Sequence, residues 1–407
     1  MAGKLPAVRA ISDLGDTIAR RWRDQGHDEA VFPAIAADAL QSSDLLAHHS
    51  AADLIDYALQ SHQLPAQYFN GFGQPPVALY RGHEFYIEAL FWFDSTTSIH
   101  QHSFSGAFAV LEGSSVHSTY GFEQHERVTS RVQLGDVQFR QCEGLARGAV
   151  RTIEAGNRFI HALFHLDHPS VSIVVRTSFE PDRNPQFTYF RPGIALDPFY
   201  EPEPMMTQLR LLEAAKQAHG IDAFVRASRT LLEHADYWLA YRTLSLAYEA
   251  LENRDAWHDL ERAARMRLGQ RVEYLRPVLE EQRRQKKITA SRKEIHDPDH
   301  RYLLALLLNV PHRDGIERLI RARYGDADPR QLIVRWLKEM SSQQQLGFDL
   351  DPLSLTLLEC ALNDATLDDA RRSFPNDAPG AEETKLRQRW DEITQAALLR
   401  PLFARSV

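Results

Sequence analysis

A chain of 407 residues with 43% hydrophobic and 25% charged content has the make-up of a soluble globular protein, with length for two or three domains and a large buried core. Its net charge of −8 argues against general nucleic-acid binding, which needs a basic face, and no stretch approaches the roughly 18 apolar residues of a membrane span. Two cysteines, Cys142 and Cys360, cannot build a disulfide framework; with an N-terminus that reads as a helix start and not a signal peptide, the expected compartment is reducing and cytoplasmic.

Residues 1–74 read as an N-terminal helical segment. Leu14, Ile18 and Trp22, then Val31, Ile35 and Leu40, recur at helical spacing. Ser50 followed by Asp53 marks a helix start, and Gly71, Gly73, Pro75 and Pro76 break the pattern. This piece is expected to pack on the next domain as a lid or wall.

From residue 75 to 192 the period changes to two. Short strands are predicted at 77–80, 85–94, 107–111, 116–122, 128–134, 137–141, 149–153, 159–164 and 171–177, with glycines at several of the turns. Many short strands at roughly even spacing argue for a sandwich or barrel, and a jelly-roll barrel with a metal at its mouth fits best. Pro192, Pro198, Pro202 and Pro204 read as a stiff linker over 193–207.

Residues 208–407 are expected to form an all-helical domain, so the fold class is α+β. Tyr241, Leu244, Ala247 and Tyr248, followed by Ala263 and Ala264, resemble one degenerate tetratricopeptide-type helix pair. There is no second clean copy, and a plain helical bundle is the better reading. Residues 281–296 read as a charge-rich interruption, either a solvated helix end or loop, or a docking patch for an acidic partner. Amphipathic helices are predicted at 300–324 and 330–340. His312-Arg313-Asp314 matches a kinase catalytic-loop tripeptide, but no other kinase signature accompanies it.

The chemistry concentrates around two histidine clusters. In a strand, His100 and His102 point to one face, and so do His161, Leu163 and His165. Eighteen histidines make about one His-x-His pair expected by chance, so the flanking strands matter more than the pair itself. His-x-His plus one histidine from a neighbouring strand gives a facial three-nitrogen set, the arrangement a non-haem Fe(II) oxygenase needs. Neutral imidazoles suit Fe, Zn, Ni or Cu about equally. His117 lies on an adjacent strand, where alternation alone does not settle which way it faces. Cys142 reads as a small core residue.

The order strand, turn, His100-x-His102, apolar strand, Glu112-Gly113, then His161 five residues after Gly156, resembles the cupin superfamily. Over about residues 78–180 the match looks closest to the cysteine dioxygenase-like, three-histidine thiol dioxygenases. The resemblance implies His100, His102 and His161 as iron ligands, with His165 as substitute or neighbour of the metal. The glutamate that many cupins place four or five residues after the second histidine falls at Gly106 and Ala107, so that ligand is missing; Glu112 lies too far along and reads as structural. Tyr80-Arg81 stands where the family holds the substrate carboxylate. The family's Ser-x-His-x-Tyr strand aligns with Ser172 to Arg176, where Val174 replaces the histidine and Arg176 the tyrosine. Those losses argue against cysteine itself as substrate, while Arg81 and Arg176 together suit a carboxylate or phosphate. For each arginine an ordinary surface or ion-paired role is the competing reading.

The function expected is therefore an Fe(II)-dependent cupin oxygenase acting with dioxygen on a small anionic or amino-acid-like substrate. Two rivals stand beside it: a metal-dependent isomerase or lyase on the same barrel, and a non-catalytic cupin that binds ligand or metal while its helices carry an interaction. The size of the helical half suggests a carrier-borne substrate, a protein partner or a homodimer.

Overall fold

The computed structural model describes residues 7–60, 64–67, 72–93, 95–178, 185–251, 254–345, 347, 349–372 and 380–405. Four helices open the chain: α1 (Ala7–Asp24), α2 (Phe32–Gln41), α3 (Asp44–His48) and α4 (Ala51–Gln60). α1 buries Ile11, Leu14, Ile18 and Trp22, three or four residues apart, on one face. α4 starts in a capping box: Ser50 N donates to Asp53 Oδ2 at 2.7 Å, and Asp53 N donates to Ser50 Oγ at 3.4 Å.

Among the described residues eleven strands follow: β1 (Pro76–Arg81), β2 (Phe85–Trp92), β3 (Ile99–His102), β4 (Gly106–Glu112), β5 (Ser115–Thr129), β6 (Val132–Leu145), β7 (Val150–Ile153), β8 (Gly156–His165), β9 (Ser170–Thr177), β10 (Thr188–Phe190) and β11 (Ile194–Leu196). They form a five-stranded sheet, β1-β2-β9-β4-β7, and a six-stranded set, β10-β11-β6-β5-β8-β3, that closes on itself as a barrel. Period-two alternation assigns the faces of the five-stranded sheet. Ile87, Ala89, Phe91, Ala107, Ala109, Ile173 and Val175 pack against the opening helices. Their neighbours Leu90, Trp92, Phe108, Val110 and Val174 point the other way, to an interior shared with Leu145, Ile153 and Leu163.

The rest of the described chain is helical: α5 (Glu203–His219), α6 (Ile221–Leu232), α7 (Tyr237–Ala250), α8 (Arg254–Leu268), a 3₁₀ turn at Gly269–Tyr274, α9 (Leu275–Ser291), α10 (Pro298–Asn309), α11 (Arg313–Tyr324), α12 (Pro329–Ser342), α13 (Pro352–Leu362), α14 (Leu367–Arg372), α15 (Gly380–Thr394) and α16 (Arg400–Phe403). Three of them begin with the same Asp-Pro pair, Asp297-Pro298, Asp328-Pro329 and Asp351-Pro352. In each, the aspartate accepts orphan backbone N–H groups and the proline needs none. No described helix is long and apolar enough to cross a membrane.

Two apolar cores weld these helices to the barrel. Val132, Leu134, Ile194 and Leu196 pack among residues of α5 to α9. Val116, Cys142, Phe164 and Leu166 pack among those of α10 to α16.

Three expectations change. Residues 193–207 are not wholly linker, because Ile194–Leu196 supplies the strand between β6 and β10 that closes the barrel. Gly193 makes this fit: a Cβ there would lie 2.1 Å from the Gly135 carbonyl oxygen. The prolines on either side disguised a three-residue apolar strand. The stretch 281–291 is a helix end, the second half of α9, and is solvated only in part. There Arg284 is buried, donating to Leu307 O at 2.9 Å while paired with Glu281. The helix expected over 300–324 is two, since Pro311 has no N–H to continue α10. His312 Nδ1 then accepts from Gly315 N at 3.1 Å and caps α11, which gives His312-Arg313-Asp314 a structural role.

The weld includes a buried cation. Arg301 on α10 donates to the carbonyls of His165, Leu166, Arg292 and Ile295, gripping the end of β8. Arg301→Leu leaves those carbonyls without their donor and is expected to destabilise the fold by roughly 3 kcal/mol. Urea denaturation of wild type and variant checks this; an unchanged midpoint would contradict the grip.

Candidate metal centre

His100 and His102 stand on β3, four residues long, paired to β8 with His100 opposite His161. The pairing register shifts between His100 and His102, yet both imidazoles face inward. His100, His102 and His161 are all buried, and one ring nitrogen of each lies within 4.8 Å of the others. Ring centroids are 4.6 to 5.0 Å apart.

Hydrogen bonds decide which nitrogens are bare. His100 Nδ1 lies 2.8 Å from Ser98 O. A carbonyl only accepts, so the proton sits on Nδ1 and Nε2 keeps its lone pair. For His161 the same result comes through a relay. Arg151 grips Glu143 from two nitrogens, at 2.8 and 2.5 Å. That contact, followed by His117, holds the Glu143 carboxyl down at about 2, so it is ionised and accepts. His117 Nδ1 donates to it at 3.0 Å, leaving His117 Nε2 to accept from His161 Nδ1 at 3.2 Å. His161 Nε2 is therefore bare and faces His102 Nε2 at 2.9 Å.

His102 completes the set. Its buried Nδ1 has no hydrogen-bond partner. With the His102 proton on Nδ1, both Nε2 lone pairs meet at one point. Two nitrogens held about 2.1 Å from a common metal at a right angle would lie about 3 Å apart, so the 2.9 Å separation fits a divalent cation. Burial pushes all three imidazoles below their usual range, assisted at His102 by His100 and Arg176 and at His161 by its histidine neighbours. They are therefore neutral near pH 7, the form in which an imidazole could hold a metal.

The fourth ligand of many cupins is excluded sterically. At Gly106 a Cβ would lie 1.9 Å from Val175 O, and Ala107 faces the opening helices. Glu112 serves elsewhere, its Oε2 accepting from Ala51 N at 3.0 Å at the start of α4.

A cavity of about 60 Å³ opens beside the three histidines. Leu90, Trp92, Phe104, Phe108 and Val174 make it largely apolar, and Glu88 and Arg176 supply its charge. Arg176 Nη1 lies 3.4 Å from Glu88 Oε1, and the guanidinium sits 3.6 Å over the Phe104 ring. Its Nε has no hydrogen-bond partner. Tyr80 and Arg81 do not line this cavity. Tyr80 stacks on Phe85 and donates to Asp16 Oδ1 of α1 at 3.2 Å, while Arg81 is exposed at the end of β1, opposite Tyr86. β1 is an edge strand, and a register shift between Ala78 and Tyr80 turns the tyrosine toward the helices. His165 stands apart from the ligand set, stacked on Trp92 at 4.6 Å with its Nδ1 on Ser115 Oγ at 3.0 Å.

His117 gains a direction the alternation had left open. Glu143 and Glu88 are the functional candidates the sequence reading missed. Glu143 lies directly across from His117 in the β5–β6 hairpin, but three register shifts separate the pair from the two-residue turn at Ser130-Arg131, and a regular count from that turn would have put Gly144 there.

A closed six-stranded barrel with three inward histidines fits a cupin metal site. No family model and no curated protein matches the chain. A chain from the crystal structures of the DMSP lyases RdDddP and RnDddQII aligns with 44% of this chain and 97% of its own length, at 13% identity and a TM-score of 0.23, too slight a likeness to inform function.

Glu143→Gln removes the obligate acceptor and lets the His117 and His161 tautomers reverse. The metal affinity should fall by about 10- to 100-fold while the melting temperature hardly moves. Competition against a chelator of known affinity measures it, with His100→Ala/His102→Ala as the null; equal affinities in wild type and Glu143→Gln would refute the relay.

Proposed function

We propose that this chain is a metal-dependent enzyme that uses Fe(II) and dioxygen to oxidise a small amino-acid-like substrate. The observation behind it is the buried all-imidazole set, with the Nε2 atoms of His102 and His161 2.9 Å apart and a ring nitrogen of His100 within 4.8 Å of ring nitrogens of both. Three neutral ligands leave the charge of a divalent ion uncompensated and several coordination positions open. Ferrous iron held by His100, His102 and His161 would supply the one-electron chemistry that organic substrates lack toward dioxygen.

The remaining work falls to the chain. Arg176 offers an unpartnered Nε–H to a substrate carboxylate, and Glu88 offers its carboxylate to a substrate cation. A substrate carrying both charges would replace the long Arg176–Glu88 contact with two shorter ones. The Phe104, Phe108 and Trp92 rings exclude water and strengthen those contacts. The cavity's size limits the reacting end to a few heavy atoms. Val174 and Arg176, in place of the histidine and tyrosine of the thiol dioxygenases, favour a substrate other than cysteine.

Glu88 also supports a second reading. A buried carboxylate in the same cavity is placed as a general base, as a metal-dependent lyase or isomerase would require.

The test is anaerobic Fe(II) loading followed by oxygen-electrode screening with amino acids and thiols. The expected result is near-stoichiometric iron, substrate-dependent oxygen uptake, and a loss of roughly 10- to 100-fold in kcat/KM for Arg176→Gln, carried mainly by KM. Turnover that persists without oxygen would replace the oxygenase with the lyase or isomerase. Failure to bind iron or any other divalent metal would overturn both.

A further inference from the structure

A second cavity, of about 350 Å³, lies on the other side of the wall that carries the metal centre. His100, His161 and Leu163 face the first cavity, while Ile99 and Ala162, their neighbours on β3 and β8, face this one. Its opposite wall is helical, with Leu279, Gln282, Arg283 and Lys286 on one face of α9. The volume falls within the range of metabolite-binding sites.

The lining is electropositive in a chain whose net charge is −8. It carries three cations, Arg191, Arg283 and Lys286, against one carboxylate, Glu249. Lys286 pairs with Glu249 at 2.7 Å. Arg283 forms no ion pair among the described residues and lies over the Tyr248 ring, 5.6 Å from its centroid. Arg191 is fixed at one end, with Nη2 donating to Leu308 O at 2.7 Å and 3.0 Å from Glu281 Oε1. That carboxylate is already shared with Arg284, at 2.7 and 2.8 Å. The other end of Arg191 is unsatisfied: its Nε is buried without a hydrogen-bond partner. A buried guanidinium N–H left unpaired is costly unless something accepts from it. Hydroxyl and amide groups of Thr96, Ser98, Ser245 and Gln282 complete a surface suited to a polar occupant.

We propose that this cavity binds a small organic dianion, a phosphate monoester or a dicarboxylate. Arg191 lines it from within, and Arg283 closes on it at the mouth. Arg191 and Arg284 share the single Glu281 carboxylate and so leave one net charge, Arg283 supplies a second, and the planar donor edge of a guanidinium suits phosphate and carboxylate alike. The proposal does not rest on which reaction the metal centre carries out.

Isothermal titration of the full chain with glycerol 3-phosphate and with succinate tests it, using sodium chloride at matched ionic strength as the control. At least one of the two is expected to bind saturably. Arg283→Gln, exposed and unpaired, should weaken that binding by about tenfold with no change in melting temperature. Arg191→Lys keeps the charge but loses the Nε–H and should weaken it as well. Two results would overturn the proposal: no saturable heat beyond the chloride control in wild type, or binding that Arg283→Gln leaves unchanged. Because Arg283→Gln removes only an exposed contact with the Tyr248 ring, an unchanged melting temperature separates a loss of binding from misfolding.

Discussion

The proton on His161 Nδ1 is held by the His117 imidazole, which is held in turn by an ionised carboxylate, and the centre depends on that order. If the Glu143 carboxyl were neutral, His117 could flip its tautomer and His161 with it. Arg151 prevents this by keeping Glu143 ionised from the barrel surface. A charge pair that is partly exposed and worth little to stability thus governs which nitrogen is bare two residues further in. His100 reaches the same state by a shorter route, through one backbone carbonyl. The two devices differ, and only the longer one can be broken by replacing a side chain.

Alternation in the strands does the sorting on which this depends. β2, β4 and β9 each give one set of side chains to the opening helices and the other to the interior that holds the cavity. β8 gives His161 and Leu163 to the metal side and Ala162 to the side facing α7, α9 and α10. A slip of one residue would exchange the two sets and remove the site altogether. The helical cores against β5, β6, β8 and β11, together with the grip of Arg301 on the end of β8, oppose such a slip.

Much of the fold was legible because its signals are local. The change of period near residue 77, the capping box at Ser50 and the shared face of His100 and His102 each need only a few neighbouring residues. Glu112 could be set aside as a ligand from its distance alone, and the structure gives it a helix to cap. What local signals could not carry was pairing between distant segments. Tyr80 and Arg81 read as substrate contacts because they precede the metal strands, yet the register shift in β1 turns Tyr80 to Asp16, 64 residues earlier. Ile194–Leu196 is too short to show a period and makes sense only beside β6. Glu88 looked like one polar residue in an apolar strand until Arg176, 88 residues later, was placed near it.

The wall between the two cavities is thin at one point. Thr97 borders both, and Ser98, whose carbonyl orients His100, borders the larger one. Three bonds pin this segment to Leu163: Thr97 N and Thr96 Oγ1 donate to its carbonyl, and Thr97 Oγ1 accepts from its N–H. Two compartments that share a wall share its free energy. Any occupant that displaces Ser98 draws on the energy that orients His100, and by reciprocity a ligand on His100 alters the hold on that occupant by the same factor. The segment from Thr96 to Ser98 is in that sense a balance arm, and its stiffness sets how strongly one side feels the other.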